Sequence, residues 1–203
     1  MKILCISDET VPQLENVANL RRRYNDVDLV ISCGDLSVAY LDLITTILGK
    51  PLMYVRGNHD ERYNTSPPGG IDLHENFVEY KGVTFIGLEG CLRYNRGKIQ
   101  YTQTEMHTKV FKLAPYLSWR RWRKSHAVDV FVTHAPARGI HDLEDDYPHR
   151  GFDAYLRFMD WYRPRFMIHG HVHTWDRRKS TRTNYKNTMV MNIMPFAILE
   201  IEE

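Results

Sequence analysis

Short apolar runs alternate with amphipathic stretches along this chain. Lys2 to Ser7, Asp28 to Cys33, Pro51 to Arg56, Val128 to Thr133 and Arg165 to His169 are nearly continuous in apolar and β-branched residues, the pattern of strands covered on both faces. Between them, Pro12 to Tyr24 places Leu14, Val17, Ala18 and Leu20 on one side with Pro12 at a favourable early position, and Val38 to Leu48 is apolar until Gly49 stops it. Thr102 to Lys124 reads as a longer helix that Pro115 breaks into two pieces. Gly151 to Tyr162 carries Phe152, Tyr155, Leu156 and Met159 at helical spacing before Pro164. Strand alternating with helix predicts an α/β layer fold. Phe77 to Tyr80 and Val83 to Leu88, around Lys81-Gly82, predict an antiparallel hairpin. Thr188 to Ile193 followed by Phe196 to Ile201 predicts another, so a second, mixed sheet is expected.

Each of the five runs gives way to a compact polar cluster: Ser7-Asp8, Gly34-Asp35, Gly57-Asn58-His59-Asp60, Thr133-His134-Ala135-Pro136 and Gly170-His171-Val172-His173. A packed parallel sheet brings such strand ends to one edge. Asp8, Asp35, Asn58, His134, His171 and His173 should therefore surround one small volume as oxygen and nitrogen donors, the makings of a site for two metal ions.

Composition changes the picture little. A length of 203 residues suits one core and is too short for two ordinary domains, so 1–203 is expected to form a single domain. Hydrophobic content of 43% and charged content of 26% are those of a globular protein. A formal net charge of +2 does not select nucleic acid or membrane as a partner. Cys5 and Cys33 fall inside expected core strands, and with Cys91 they read as reduced thiols. No stretch approaches the ~20 apolar residues of a membrane span, which leaves the cytoplasm as the expected compartment.

The five clusters, in this order and approximate spacing, resemble the calcineurin-like metallophosphoesterase family over nearly the whole chain. The resemblance implies a four-layer αββα sandwich, with two mixed β-sheets packed together and helices outside. It implies two divalent ions, of manganese, iron, zinc or nickel, with Asp8, Asp35 and His173 on the first and Asp35, Asn58, His134 and His171 on the second, Asp35 bridging. Two such ions ~3.5 to 4 Å apart neutralise phosphoryl oxygens and lower the pKa of a bridging water. The implied activity is hydrolysis of phosphate esters, with a small phosphate-ester substrate as partner, and the small size of the chain, with no appended cap over the pocket expected, favours phosphodiesters among them. His59 would assist the leaving group as the catalytic residue outside the metal shell, with Asp60 orienting its ring. Arg56 reads as a strand-end residue with a local salt bridge.

One position departs from the pattern. The family's first motif reads Asp-x-His, and this chain reads Asp8-Glu9-Thr10. A neutral hydroxyl binds a transition ion more weakly than imidazole, so the first ion loses a donor unless water, Glu9, His141 or His149 supplies one. Two functional classes follow: a hydrolase with a weakened first site, or a binding scaffold like the retromer subunit that resembles this fold. The retained His59, Asp60, His171 and His173 favour the hydrolase. The loops Tyr63 to Gly70 and Gly139 to Arg150 are candidates to roof the site, and Tyr94 is a candidate wall.

Two basic stretches remain. In Ser118 to His126, Arg120, Arg121, Arg123 and Lys124 interleave with Trp119 and Trp122. Tryptophans three apart share a helix face, so they are expected to pack on the core with the arginines solvated; the other reading is a surface for phosphate backbones or anionic lipid, and nucleic acid is the less favoured partner. Arg177, Arg178, Lys179 and Arg182 follow the last motif and read as an exposed turn that can help with an anionic substrate.

Overall fold

A computed structural model describes residues 1–123, 127–173 and 180–202. In chain order the strands are β1 (Lys2–Ile6), β2 (Leu29–Ser32), β3 (Leu52–Tyr54), β4 (Ile71–Asp72), β5 (Phe77–Tyr80), β6 (Val83–Leu88), β7 (Cys91–Leu92), β8 (Gln100–Tyr101), β9 (Val130–Thr133), β10 (Phe166–His169), β11 (Arg182–Tyr185), β12 (Thr188–Asn192) and β13 (Phe196–Glu200). The helices are α1 (Pro12–Glu15), α2 (Val17–Arg23), α3 (Val38–Leu48), α4 (Gln103–Arg123) and α5 (Asp153–Tyr162). One sheet has the order β13-β1-β2-β3-β4, the other β11-β12-β10-β9-β6-β5, and β7 pairs with β8 separately. Both large sheets mix parallel and antiparallel pairs.

Period-two alternation in the strands builds the layers. Ile3, Cys5, Leu29 and Ile31 of the first sheet meet Phe85, Val130, Val132 and Ile168 of the second in one buried cluster between the sheets. The alternate residues Leu4, Ile6 and Val30 pack with Leu14, Leu20, Leu41 and Ile44 of the helices on the outside. Phe131 and Met167 likewise pack with Met106, Leu117, Tyr155 and Phe158 of α4 and α5. This is the expected four-layer sandwich of two mixed sheets flanked by helices. Cys5, Cys33 and Cys91 are all buried free thiols.

Where local signals agree, the elements match the sequence. α3 starts at Ser37, whose hydroxyl accepts from Tyr40 N–H, and stops at Gly49 in the left-handed region. The hairpin of β5 and β6 pairs Tyr80 with Val83 around Lys81-Gly82.

Four expectations are corrected. Pro12 to Tyr24 is two helices, because Asn16 is extended and uses its side chain to accept from Asn19 N–H; Leu14 and Leu20 are buried, whereas Val17 and Ala18 face outward. The stretch from 102 is one continuous helix through Pro115. Pro115 and Phe111 lie on its exposed side, where water can satisfy the carbonyl that a proline four residues later leaves without a donor. Thr188 to Ile193 and Phe196 to Ile201 do not pair: β12 joins β10 and β11, and β13 joins β1 across the core. Their apolar positions feed layers on both faces, which a half-solvated hairpin cannot supply. Finally, Trp122 is 84% exposed and Arg120 only 8%; the inner stripe of α4 runs through Met106, Val110 and Leu117, and the next position in helical register is Arg120. Lys124, Ser125, His126, Arg177, Arg178 and Lys179 lie outside the described residues, and Arg182 sits exposed on β11.

Candidate metal centre

The loops that leave β1, β2, β3, β9 and β10 meet at one end of the sandwich. They are laced together by backbone bonds, Asp8 N–H to Gly34 carbonyl at 3.1 Å and Gly170 N–H to His134 carbonyl at 3.0 Å. Asp8, Asp35 and His171 all have positive φ, at 65°, 57° and 66°. Left-handed backbone at a residue with a side chain is costly and concentrates where function demands it. Two glycines let the loops close in. A Cβ at Gly57 would lie 2.0 Å from Asp35 Oδ1, and one at Gly170 would lie 2.0 Å from Ser7 Oγ and 2.3 Å from Asp8 Oδ2. Close approach, more than turn geometry, requires glycine there.

One donor atom each from Asp8, Asp35, His134 and His171 falls within 4.8 Å of the other three. His134 is fully buried, and its Nδ1 lies 2.7 Å from the Cys33 carbonyl. A carbonyl only accepts, so Nδ1 carries the hydrogen and Nε2 presents its lone pair inward. Around Nε2 are Asn58 Oδ1 at 3.1 Å and Asp35 Oδ2 at 3.4 Å. The Asn58 amide is turned this way because its Nδ2 donates to the Tyr94 hydroxyl at 3.2 Å. His171 is fixed in the opposite tautomer: Nε2 donates to the Pro148 carbonyl at 2.9 Å, which leaves Nδ1 as its lone pair, while its N–H donates to Asp8 Oδ2 at 2.9 Å.

Three acceptors at such distances need a positive centre among them, either a proton or a cation. Without a cation the proton falls to His134. Burial opposes its charge, but the Asp35 carboxylate, then Asp8 and the Cys33 carbonyl, outweigh that and raise its pKa to about 9. Burial likewise opposes the Asp35 carboxylate, and attraction and hydrogen bonding from His134, with the His59 N–H, overcome it and lower the pKa to about 2. Burial raises Asp8 and holds His171 low, the latter aided by repulsion from His134. A set of carboxylate, amide oxygen and neutral imidazole with no thiolate fits a divalent transition ion.

The remaining expected residues divide. Asn58, His59, His149, His173 and Tyr94 line, with Asp8, Asp35, Pro148 and His171, a cleft of about 520 Å³. His173 stands apart from the tight cluster, its Nδ1 3.1 Å from Glu9 Oε1, and Thr10 is exposed. Asp60 does not bond to the His59 ring among the described residues. Its Oδ2 accepts from Asp35 N–H at 2.7 Å and Gly57 N–H at 2.8 Å, tying two ligand loops together, and burial then Asp35 raise its pKa to about 6. His59 N–H donates to Asp35 Oδ1 at 2.8 Å. Arg56 makes the anticipated local salt bridge, to Glu89 at 2.6 Å. His141 lies elsewhere, against His169 and Thr183. The loop from 139 supplies Pro148 and His149 to the cleft, whereas the residues of the loop from 63 are not among its lining. The carbonyls of Cys33 and Pro148, which set both tautomers, escape sequence reading because every residue has one; the side chain gives no signal.

The family model for calcineurin-like phosphoesterases matches residues 1–175. Among curated proteins none matches the chain. A solved crystal structure at 18% identity has a TM-score of 0.68 and aligns over 98% of this chain and 94% of its own. TT1561 of Thermus thermophilus is similar at 12% identity and a TM-score of 0.63, over 95% of this chain and 88% of its own. GAP50, the anchor in the inner membrane complex of Plasmodium, is similar at 12% identity and a TM-score of 0.51, over 95% of this chain and 70% of its own. No helix among the described residues is long and apolar enough to cross a membrane.

Proposed function

The chain belongs to the calcineurin-like phosphoesterase family, and from that premise we propose that it hydrolyses a phosphodiester with two divalent cations. Asp35, Asn58, His134 and His171 would hold one cation, and Asp8, Asp35 and His173 the other. The observation that carries this reading is the convergence of Asn58 Oδ1, Asp35 Oδ2 and His134 Nε2, three acceptors with no donor among them. Bound there, the cations supply charge to neutralise phosphoryl oxygens and to make water acidic enough to attack phosphorus.

The chain's own groups do the rest. Backbone carbonyls hold His134 through Nδ1 and His171 through Nε2, so each ring already aims its other nitrogen at the cluster, and loading asks only that His134 give up its second proton. Asp35 divides its two oxygens between the cluster and the His59 N–H, which seats His59 at the cleft. From there its imidazole donates a proton to the departing ester oxygen. Asp60 is a positioning residue that fixes the Asp35 and Gly57 backbones. The cleft, about 520 Å³, is larger than a phosphoryl group and leaves room for an ester group as well.

The test is turnover of an aryl phosphodiester by manganese-loaded protein from neutral to alkaline pH, beside Asp35→Asn. Hydrolysis by the wild type and its loss in the variant are expected. No turnover by fully loaded protein would reject the hydrolase and favour the scaffold.

A further inference from the structure

α4 keeps its apolar stripe of Met106, Val110 and Leu117 inside and yet carries large rings on its outside as well. Trp122 is 84% exposed and Phe111 69%, and on α5 Trp161 is 42% exposed. Phe111 and Trp161 share a shallow groove of about 350 Å³ with His107 and Arg157. Rings held this far in water forfeit the transfer free energy that burial would return, and grouped exposure of this kind marks a contact surface. Lys112, Arg121 and Arg157 stand exposed around these rings, and the acid beside Trp161, Asp160, is paired with Lys186 at 2.5 Å. The neighbouring Glu75 is already paired, with Lys109 at 2.6 Å.

We propose that this outer face of α4, with Trp161 of α5, docks on an anionic lipid surface. Phe111, Trp122 and Trp161 enter the boundary between headgroups and acyl chains, and exposed Lys112 and Arg157 meet the lipid phosphates. Charge complementarity selects this occupant. A second copy placed by a two-fold axis would set cations against cations. A nucleic-acid strand is poorly served too, because the rings crown a convex helix. Two of the arginines are also turned away from any strand: Arg120 Nε donates to the Ala127 carbonyl at 3.2 Å and its guanidinium lies over Phe77, and an Arg121 Nη1 donates to the Trp161 carbonyl at 2.6 Å.

The full chain is sedimented with phosphatidylcholine vesicles, with and without about one third phosphatidylserine. Binding only to the anionic vesicles is expected, with a blue shift of tryptophan emission. Phe111→Ala with Trp122→Ala, surface changes that leave the core intact, lowers the partition coefficient about tenfold or more, whereas Arg22→Gln on α2 does not. Thermal melting confirms that both variants are folded. The proposal is overturned if folded wild type stays in the supernatant, if the double variant binds as well as wild type, if the chain forms a dimer that the double variant abolishes, or if it shifts RNA or DNA without binding vesicles.

Discussion

The two halves of the cleft are built to different standards. On one side His134 is fully buried, Asn58 and His171 nearly so, and each donor atom is aimed by a second contact: His134 by the Cys33 carbonyl, Asn58 by Tyr94 and His171 by the Pro148 carbonyl. On the other, His173 and Glu9 are partly exposed and bond to each other, and Thr10 faces solvent. The histidine expected two residues after Asp8 is absent, and the neighbouring acid, Glu9, accepts from Nδ1 of the histidine that remains. Binding at a metal centre depends as much on the groups behind the ligands as on the ligands. The first half has that support at three buried donors, whereas the second has it only at half-exposed His173, whose Nδ1 bonds to Glu9 and leaves Nε2 to carry the lone pair.

Breaking the stronger half has the largest effect. Asp35→Asn removes the charge shared by both halves and should lower aryl phosphodiester turnover about a thousandfold, with loss of high-affinity manganese binding in calorimetry. Gly57→Ala drives a methyl group into Asp35 and should weaken cation binding about a hundredfold, while denaturant titration shows a loss of about 1 to 3 kcal/mol from overpacking. Next comes the weaker half. Thr10→His restores an imidazole, and the second equivalent of manganese should bind about tenfold tighter; unchanged affinity would mean that another group already serves there. Tyr94→Phe deletes only the hydroxyl that turns the Asn58 amide, and should weaken the first equivalent about fivefold, the worth of one hydrogen bond.

The smallest effect is one of pH. His134 titrates near 9 in the folded cation-free protein and at 6.5 in the unfolded chain, so its contribution is complete below 6.5 and disappears as pH rises through 9. Asp35, shifted down to about 2, contributes above 3.8 and loses that contribution only as pH falls toward 2. Asp60, His169 and His171 exert their effects below 6.5. Cation-free protein should therefore lose about 5 °C of melting temperature between pH 6.5 and 9. Saturating manganese, which takes the place of the His134 proton, should flatten that slope.

Strand ends were the legible part of the chain, because a two-sided apolar run and the polar turn after it are both written locally. β1, β2, β3, β9 and β10, and with them Asp8, Asp35, Asn58 and His134, follow from that pattern alone. Pairing partners were less legible. The three residues between β12 and β13 look like a hairpin loop, and only the packing of both strands' two faces sends them into different sheets. The outer face of α4 was misread because two tryptophans three apart define a stripe without saying which side it is on; Met106, Val110 and Leu117 decide that, eight and more residues of context at once. Asp60 has the same lesson in miniature. Adjacency to His59 suggested a partner, but its carboxylate found two unpaired backbone amides closer at hand.

The left-handed turns at Asp8, Asp35 and His171 also bear on how this centre can change over generations. Each of the three positions asks for a particular donor and for a residue that tolerates a backbone most amino acids resist. In a saturation library, asparagine and glycine should survive best as folded protein there and valine or isoleucine worst, whatever happens to catalysis. Drift away from activity would then leave a recognisable trace, with small or amide residues standing where acids and imidazole once stood.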